Sequence, residues 1–357
     1  MRPFTTALTV VQNRLGAVPR PAWCTYLTTF RCNARCGMCD SWRLPPGAEL
    51  TPAQVAAVFD KIGRLDVVRL SGGEPFLRKD LSEIAEAILR ASRPFVIHVT
   101  TNGSLPERVE TFVRSFSQPR TLRFMVSFDG LPETHDRSRG DHASFATALE
   151  TVRRLAALRD ACGVEVSANH TVISSQSLQD NAGLRRALAR FGVEVHSVLA
   201  YADSAMYTAE LQGATANHLI VPRGYPLHPA LEGADALGFV ETELRNAARL
   251  RDRLLRWGKR YYLRGLRSRL RADERPSPNP PCVALRSHVR LLPDGGVPVC
   301  QFNTRQVGNL LRQNFDEVWH GPRGRAARRW VTHCPGCWAE CEVMPNTIYS
   351  GDLLRPV

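Results

Sequence analysis

Residues 23–39 read WCTYLTTFRCNARCGMC: a short apolar run, Trp23–Phe30, leads directly into Cys32, Cys36 and Cys39. The run predicts a buried strand, and the glycine-containing loop after it can bring three thiols to one metal centre. A structural zinc site or an electron-transfer cluster normally takes four protein ligands, so three leave one position open for a substrate or cofactor. The stretch therefore predicts a reactive metal site beside the first strand.

Short apolar runs alternate with helical patterns from Trp23 to about Ala202, which favours parallel strands joined by crossover helices. Thr51 and Pro52 predict the start of the first of these helices. Six β/α units are too few for an eight-stranded barrel, so we expect an α/β fold of the partial (β/α)6 TIM-like type, with its site at the carboxyl ends of the strands. The strands are expected at residues 23–30, 67–70, 96–100, 122–128, 165–173 and 194–200.

The composition is that of a globular protein: 357 residues, 43% of them hydrophobic, can bury a sizeable core. The formal charge is +13, which would suit an acidic partner such as nucleic acid. The lysines are only Lys61, Lys79 and Lys259, so arginine spread along the chain carries the charge and argues against a dedicated nucleic-acid interface. One cluster, Arg251–Arg271, is interpreted as a solvated helix face or as a surface for an anionic substrate or partner peptide.

No apolar run reaches the roughly 18 residues needed to span a bilayer, and Met1–Arg20 lacks the features of a signal peptide. We therefore expect a cytoplasmic protein without a membrane partner. In that reducing compartment the ten cysteines indicate metal ligation or catalysis more than disulfides. Three lie near the start and five near the end; Cys24 and Cys162 remain, as packed thiols or as hydrogen-atom donors.

The spacing of Cys32, Cys36 and Cys39 resembles the signature of the radical S-adenosylmethionine (radical SAM) superfamily. The resemblance implies a [4Fe–4S] cluster on these cysteines, whose open iron chelates the amino and carboxylate groups of S-adenosylmethionine. Reductive cleavage would then give a 5′-deoxyadenosyl radical that abstracts hydrogen from a substrate. The family usually has an aromatic residue where this chain has Met38. A zinc loop or three packed thiols is the alternative.

Polar and glycine-rich turns follow the second, third and fourth predicted strands: Ser71–Pro75, Thr101–Gly103 and Ser127–Gly130. Each alone could be an ordinary turn, although glycines let a backbone approach a ligand and a carboxylate can accept from an ammonium group. The resemblance implies that they bind the cofactor, the Gly-Gly-Glu-Pro turn at its amino group. The implied contacts are Gly72, Gly73, Glu74, Pro75, Asn102 and Asn169. Ser127 and Asp129 are implied near the ribose, and Arg139 at the cofactor carboxylate. For Asn169 and Arg139, ordinary structural roles are the alternative.

Five further cysteines form a C-terminal set. The segment Val289–Val299 predicts a β-hairpin with its turn at Pro293–Gly296. Such a hairpin would bring the first two of these cysteines, Cys282 and Cys300, close together. Four cysteines in this arrangement could bind zinc or an iron–sulfur cluster. The layout resembles the SPASM or twitch extension of radical SAM enzymes, and five cysteines instead of seven imply one auxiliary [4Fe–4S] cluster and about eight irons per chain. The implied ligands are Cys282, Cys300, Cys334 and Cys337, with Cys341 able to replace one of them.

The domain organisation follows from these assignments, with a small cysteine-rich α+β auxiliary-cluster domain after a proline-rich break. The expected divisions are a lead-in at 1–20, a radical SAM core at 21–212, a loop and helical linker at 213–275, the auxiliary domain at 276–345 and a tail at 346–357.

The resemblance implies a radical SAM oxidoreductase or maturase that modifies a peptide or another natural-product precursor. The alternative is oxidation or epimerisation of an amino sugar or aminocyclitol in antibiotic biosynthesis; a more remote one is a non-enzymatic zinc-binding protein. The expected partners are S-adenosylmethionine, a peptide or small-molecule substrate, and an electron donor such as flavodoxin or ferredoxin.

Overall fold

The computed structural model describes residues 3–202, 206–207, 225–250, 253–334 and 336–352. The six predicted strands are all present, with bounds within two residues of those expected. They are β1 (Trp23–Thr29), β2 (Val67–Gly72), β3 (Val96–Thr101), β4 (Leu122–Phe128), β5 (Glu165–Val172) and β6 (Glu194–Leu199).

Helices separate these strands and continue through the C-terminal part. Thr51 starts the first crossover helix with a capping box, in which its hydroxyl accepts from Gln54 N while the Gln54 side chain accepts from Thr51 N. The helices are α1 (Pro3–Arg14), α2 (Pro52–Ile62), α3 (Leu81–Ser92), α4 (Pro106–Ser115), α5 (Pro132–Arg139), α6 (Ser144–Cys162), α7 (Ser175–Ala189), α8 (Gly233–Ala248), α9 (Arg253–Leu270), α10 (Phe315–Trp319), α11 (Pro322–Thr332) and α12 (Glu340–Tyr349).

The main sheet has the order β6-β5-β4-β3-β2-β1-β7, and every neighbouring pair is parallel. This arrangement confirms the α/β partial-barrel fold. Its seventh strand, β7 (His288–Leu291), comes from the C-terminal part and lies along β1. Because β7 covers the edge of β1, the N-terminal core and the cysteine-rich part share one sheet.

The predicted hairpin at Val289–Val299 is wrong. A turn is present, with Leu292 N bonded to Gly296 O, but the two strands that flank it belong to different sheets. The second, β8 (Gly296–Pro298), pairs antiparallel with β9 (Gln306–Asn309). The physical reason is that β8 takes its backbone partners from β9, while β7 takes its own from β1, so only the turn of the expected hairpin remains.

The two faces of the main sheet differ in chemistry. Alternate positions such as Val68, Ile97 and Phe124 are buried in the apolar core that the helices cover. The intervening positions carry polar side chains, and the strand register places them side by side on the other, inner face. One such row is Thr25, Arg69, His98, Arg123 and Glu165. A partial barrel therefore encloses a polar interior here.

A second core forms where α8 and α9 pack on the residues that follow Cys337, with Tyr261, Leu266 and Trp338 at its centre. The predicted domain divisions stay predictions, and residues 213–224 of the linker expected at 213–275 lie outside the described residues. Among the described helices, none combines the length and the apolar character that crossing a membrane requires. The cytoplasmic location stays a prediction.

Candidate active site

The three N-terminal cysteines lie together in the loop after β1. Cys39 N donates to Cys36 O at 3.2 Å, which folds the loop back on itself. Burial raises the pKa of Cys36 to about 12 and that of Cys39 to about 11, and Arg139 opposes the rise in both. Thiols in such surroundings ionise when a cation binds them, and three adjacent thiols are the donor set that an iron–sulfur cluster takes.

The end of α5 holds this loop. The Arg139 guanidinium donates to both carboxylate oxygens of Asp129 at 2.7 Å, and both side chains are buried. Ser138 Oγ donates to the same carboxylate at 2.8 Å. The carbonyls of Arg139 and Ser138 accept from Arg35 N and Gly37 N, inside the cysteine loop. Arg139 and Asp129 are thus brought to the site as an ion pair, and their predicted contacts with the cofactor stay predictions.

The Gly-Gly turn after β2 packs directly on the chain that precedes the cysteines. Gly72 has a φ of +128°, and a Cβ at this position would lie 2.1 Å from Thr29 O. A Cβ on Gly73 would lie 2.1 Å from Arg31 O, while Gly73 N donates to Thr29 O at 2.8 Å. The two glycines are therefore required for this close backbone approach.

Glu74 is fully buried and connects the β2 turn to the end of β3. Its carboxylate accepts from Phe76 N at 3.1 Å, from Thr101 Oγ1 at 2.8 Å and from Asn102 N at 2.7 Å. Burial raises the pKa of Glu74, and these hydrogen bonds oppose the rise. Thr101 was not among the predicted site residues, although it lies in the quoted turn. Pro75 follows Glu74 and is buried.

Asn102 reaches the cysteine loop from the end of β3. Its Nδ2 donates to Asn33 Oδ1 at 2.9 Å and lies 3.9 Å from Cys32 Sγ. Ser127 and Asn169 are register partners on β4 and β5, on the polar inner face. Asn169 Oδ1 is buried without a hydrogen-bond partner among the described residues. An acceptor in that condition is suited to a ligand that enters the barrel.

Four C-terminal cysteines surround one cavity. Apolar side chains form much of its remaining wall, and the donors come from three separate segments of the chain. Its lining includes Cys282, Cys300, Cys334 and Cys337, with Phe302, Trp330 and Val331. Four thiols around an apolar cavity match the ligand set of a [4Fe–4S] cluster. Among the described residues, no three Cys, His, Asp or Glu side chains converge as ligands of a single ion.

Cys341 lies outside the lining of that cavity. Its thiol donates to Gln301 Oε1 at 2.7 Å and lies 3.7 Å from Arg290 Nη2. Arg290 pairs with Glu342 at 2.7 Å, and Glu342 lies 3.2 Å from His288 Nδ1. The structure thus favours the ligand set without Cys341, which belongs to a buried polar network joining α12 to β7.

That network was missed from the sequence, although a charged residue at position 290 within an apolar run was the available signal. The side chains of Glu342, His288 and Arg290 in this network are each less than 5% exposed. The two remaining cysteines pack elsewhere: Cys24 is buried in the apolar core, and Cys162 packs against that core from α6.

The two groups of cysteines lie in regions of the chain that match known protein families. The model of the radical SAM superfamily matches residues 26–187, and the SPASM model, an iron–sulfur cluster-binding domain, matches residues 282–341. The chain belongs to the radical SAM superfamily. It is a radical SAM enzyme with a SPASM domain, and its cofactors are a [4Fe–4S] cluster that binds S-adenosylmethionine and an auxiliary iron–sulfur cluster.

Individual relatives are similar over parts of their length. GTP 3′,8-cyclase of Aquifex aeolicus is 30% identical over 48% of this chain and 53% of its own. The sporulation killing factor maturation protein SkfB of Bacillus subtilis is 32% identical over 38% of this chain and 33% of its own. This radical SAM chain thus spans about half or less of the length of these two relatives. The solved structure of anSMEcpe with bound AdoMet shares the fold: TM-score 0.59, 15% identity, 94% of this chain and 98% of that one.

Proposed function

We propose that this chain cleaves S-adenosylmethionine reductively and uses the 5′-deoxyadenosyl radical to abstract hydrogen from a peptide or another natural-product precursor. The result would be a cross-link, an oxidation or an epimerisation. The observation that carries the proposal is the loop with Cys32, Cys36 and Cys39, held at the carboxyl ends of β1 to β4. When bound there, the cluster supplies the electron that breaks the cofactor's sulfonium bond.

In this proposal the chain's own residues position the reacting groups. The three cysteines hold the cluster, and the Arg139–Asp129 pair fixes the loop that carries them. Glu74 holds the Gly-Gly turn and the end of β3 at the same edge, where Asn102 touches the loop. Ser127 and Asn169, farther along the inner face, would contact the rest of the cofactor.

Enclosure of the site supports radical chemistry, because a reactive radical must be formed beside its target and away from water. The inner face of the sheet is polar, and much of it is shielded from solvent, as at Thr25 and Arg290, which are 2% and 4% exposed. The C-terminal part contributes β7 to that sheet. A substrate would therefore bind in the barrel interior between the two cysteine sites.

A peptide substrate has support from the named relatives. SkfB is a maturation protein by name, and anSMEcpe has also been solved with both AdoMet and the Cp18Cys peptide. We propose the same class of substrate here. The electron that starts each turnover would come from a flavodoxin or a ferredoxin.

The test is anaerobic purification with iron and sulfide analysis, followed by reduction and assay for 5′-deoxyadenosine. A candidate precursor peptide, deuterated at its α-carbons and side chains, would then be added. The proposal expects deuterium in the 5′-deoxyadenosine and loss of at least one deuterium from the peptide, since cross-linking, oxidation and epimerisation each remove one. Deuterium transfer from an amino sugar or aminocyclitol, with none from peptides, would overturn the peptide assignment and leave the radical mechanism standing.

A further inference from the structure

Four of the seven residues that line a surface cavity outside the two cysteine sites are arginines. Its cationic members are Arg286, Arg325, Arg328 and Arg329, here named the α11 basic face, and its other lining residues are Val18, His320 and Thr332. No carboxylate side chain is present among the lining residues that the structure describes. Among the described residues, none of the four arginines takes part in an ion pair.

Main-chain carbonyls hold these arginines without neutralising them. Arg328 donates to Leu285 O at 3.2 Å, Arg286 donates to Ala17 O at 3.3 Å, and Arg325 donates to His320 O. Burial lowers the pKa of Arg328, and the charges of Arg286 and Arg325 lower it further. The like charges therefore repel one another, and an anionic partner would relieve that repulsion.

The same helix borders the four-cysteine cavity on its other side. Trp330 and Val331 of α11, and Cys334 just after it, line that cavity. Arg325, Arg328 and Arg329 line the arginine cavity. The two cavities are therefore separated by little more than the width of one helix, about 10 Å.

We propose that the α11 basic face docks an acidic one-electron carrier protein, of the iron–sulfur or flavin class, which exchanges electrons with the auxiliary cluster. The inference rests on the proposed function where that function is an oxidation. In that case the substrate radical loses one electron and one proton in forming a new double bond or cross-link. The carrier, arriving oxidised, gains the electron and leaves one electron more reduced, and the proton passes to solvent.

Charge complementarity favours this occupant, because electrostatic attraction speeds docking most for partners that must meet and part at every turnover. A second arginine surface allows a matched comparison. It is the α9 basic face, lined by Arg253, Arg256, Arg260 and Arg264 with Trp257. Its charge is similar, but α9 contributes no residue to the lining of the cysteine cavity among the described residues.

The test compares two double charge reversals in the holoenzyme. Arg325→Glu with Arg329→Glu changes the α11 basic face at exposed positions, and Arg260→Glu with Arg264→Glu changes the α9 basic face. Binding of an acidic flavodoxin is measured by surface plasmon resonance at low salt. Electron transfer from the reduced holoenzyme, freed of excess reductant, to the oxidised flavodoxin is followed by anaerobic stopped-flow absorbance.

We expect the α11 reversal to weaken binding and slow transfer by about tenfold or more, and to flatten the salt dependence of the rate. The α9 reversal should change both by less than about twofold. Transfer should persist in a Cys36→Ala background, since the electron leaves through the auxiliary site.

Equal effects of the two reversals, or no effect of either, would overturn the proposal. So would loss of transfer in the Cys36→Ala background, or binding of a poly-glutamate peptide, but not of flavodoxin, to the α11 basic face. These measurements require neither substrate nor cofactor cleavage. Their failure is thus distinct from failure to form 5′-deoxyadenosine, which would count against the proposed function alone.

Discussion

The two cysteine sites of this enzyme are built in opposite ways. Cys32, Cys36 and Cys39 follow one strand within a single loop, and short contacts from α5 and the β2 and β3 turns hold that loop. The four cysteines of the other site come from three separate segments around an apolar cavity. The first site is thus a local device placed at the rim of a barrel, whereas the second exists only when the C-terminal part has folded.

The charges beside the two sites differ as well. Arg139 lies at the first, where its charge favours the thiolate forms of Cys36 and Cys39. At the second, the Glu342 carboxylate adds to burial in raising the pKa of Cys300 and Cys337. Arg139 thus stabilises thiolates at the first site, whereas Glu342 destabilises them at the second.

The largest expected effect separates the sites completely. Cys36→Ala should abolish 5′-deoxyadenosine formation and reduce the iron content from about eight to about four per chain, because only the first cluster is lost. Iron analysis and chromatographic assay of the nucleoside would measure this. The matched control is Cys162→Ala, because Cys162 packs against the apolar core. This variant should keep the normal iron content and the normal formation of 5′-deoxyadenosine. Cleavage at the normal rate by the Cys36 variant would contradict the assignment.

The ligand set of the second site is tested by two cysteines of one segment. Cys337→Ala should lose about four irons and retain cofactor cleavage, since Cys337 lines the cavity. Cys341→Ser should retain about eight irons, because Cys341 bonds to Gln301 instead. Iron and sulfide counts of the two variants are the measurement. If Cys341→Ser lost the auxiliary cluster and Cys337→Ala kept it, the assignment would be reversed.

The support of the first site is tested through the buried ion pair. Arg139→Gln leaves the Asp129 carboxylate buried and unpaired, which should reduce the free energy of unfolding by about 3–5 kcal/mol. Iron should be lost from the first site before the second. Arg137→Gln breaks an exposed ion pair with Glu133 in the same helix and should change little. Denaturant unfolding of both variants compares them, and equal stabilities would exclude the supporting role.

A smaller effect should appear in the pH dependence of stability. His135 is fully buried, its Nδ1 accepts from Asp129 N, and burial followed by the charge of Arg139 lowers its pKa to about 4. The unfolded chain binds a proton at this residue below about pH 6.5, whereas the folded chain stays neutral to about pH 4. The contribution of neutral His135 to the free energy of unfolding is therefore complete above pH 6.5. It is lost as the pH falls towards 4, and the loss is about 3 kcal/mol at most.

Urea unfolding between pH 7 and pH 5 measures this dependence. His135→Gln should reduce the slope of the free energy of unfolding against pH by the contribution of one titrating proton. His142→Gln, at an exposed position, should leave that slope unchanged. An unchanged slope in the His135 variant would show that other groups cause the loss of stability.

The sequence predicted what is local. The six strands and the first cysteine loop follow from hydrophobic periodicity and spacing along the chain, and the structure has them within two residues. Residues such as Glu74 and Asp129 were predicted as cofactor contacts, but their observed partners, Thr101 and Arg139, depend on how neighbouring turns meet. Spacing alone does not specify such pairings.

What the sequence did not predict depends on distant packing. The four-residue strand β7 forms because the edge of β1 is available, and a local pattern instead suggested a hairpin. Likewise Arg290 and Glu342 are 52 positions apart and meet only after α12 packs on that strand. The second cysteine site, which depends on the same packing, was predicted as a set of ligands but not as a cavity.

The most direct test of the account is the production of 5′-deoxyadenosine by the anaerobically reconstituted, chemically reduced protein. We expect 5′-deoxyadenosine and methionine to form together, only with reductant present, and only while the loop at Cys32, Cys36 and Cys39 holds its cluster. A protein whose N-terminal cluster is intact and reduced, and which still leaves S-adenosylmethionine uncleaved, would contradict the central claim.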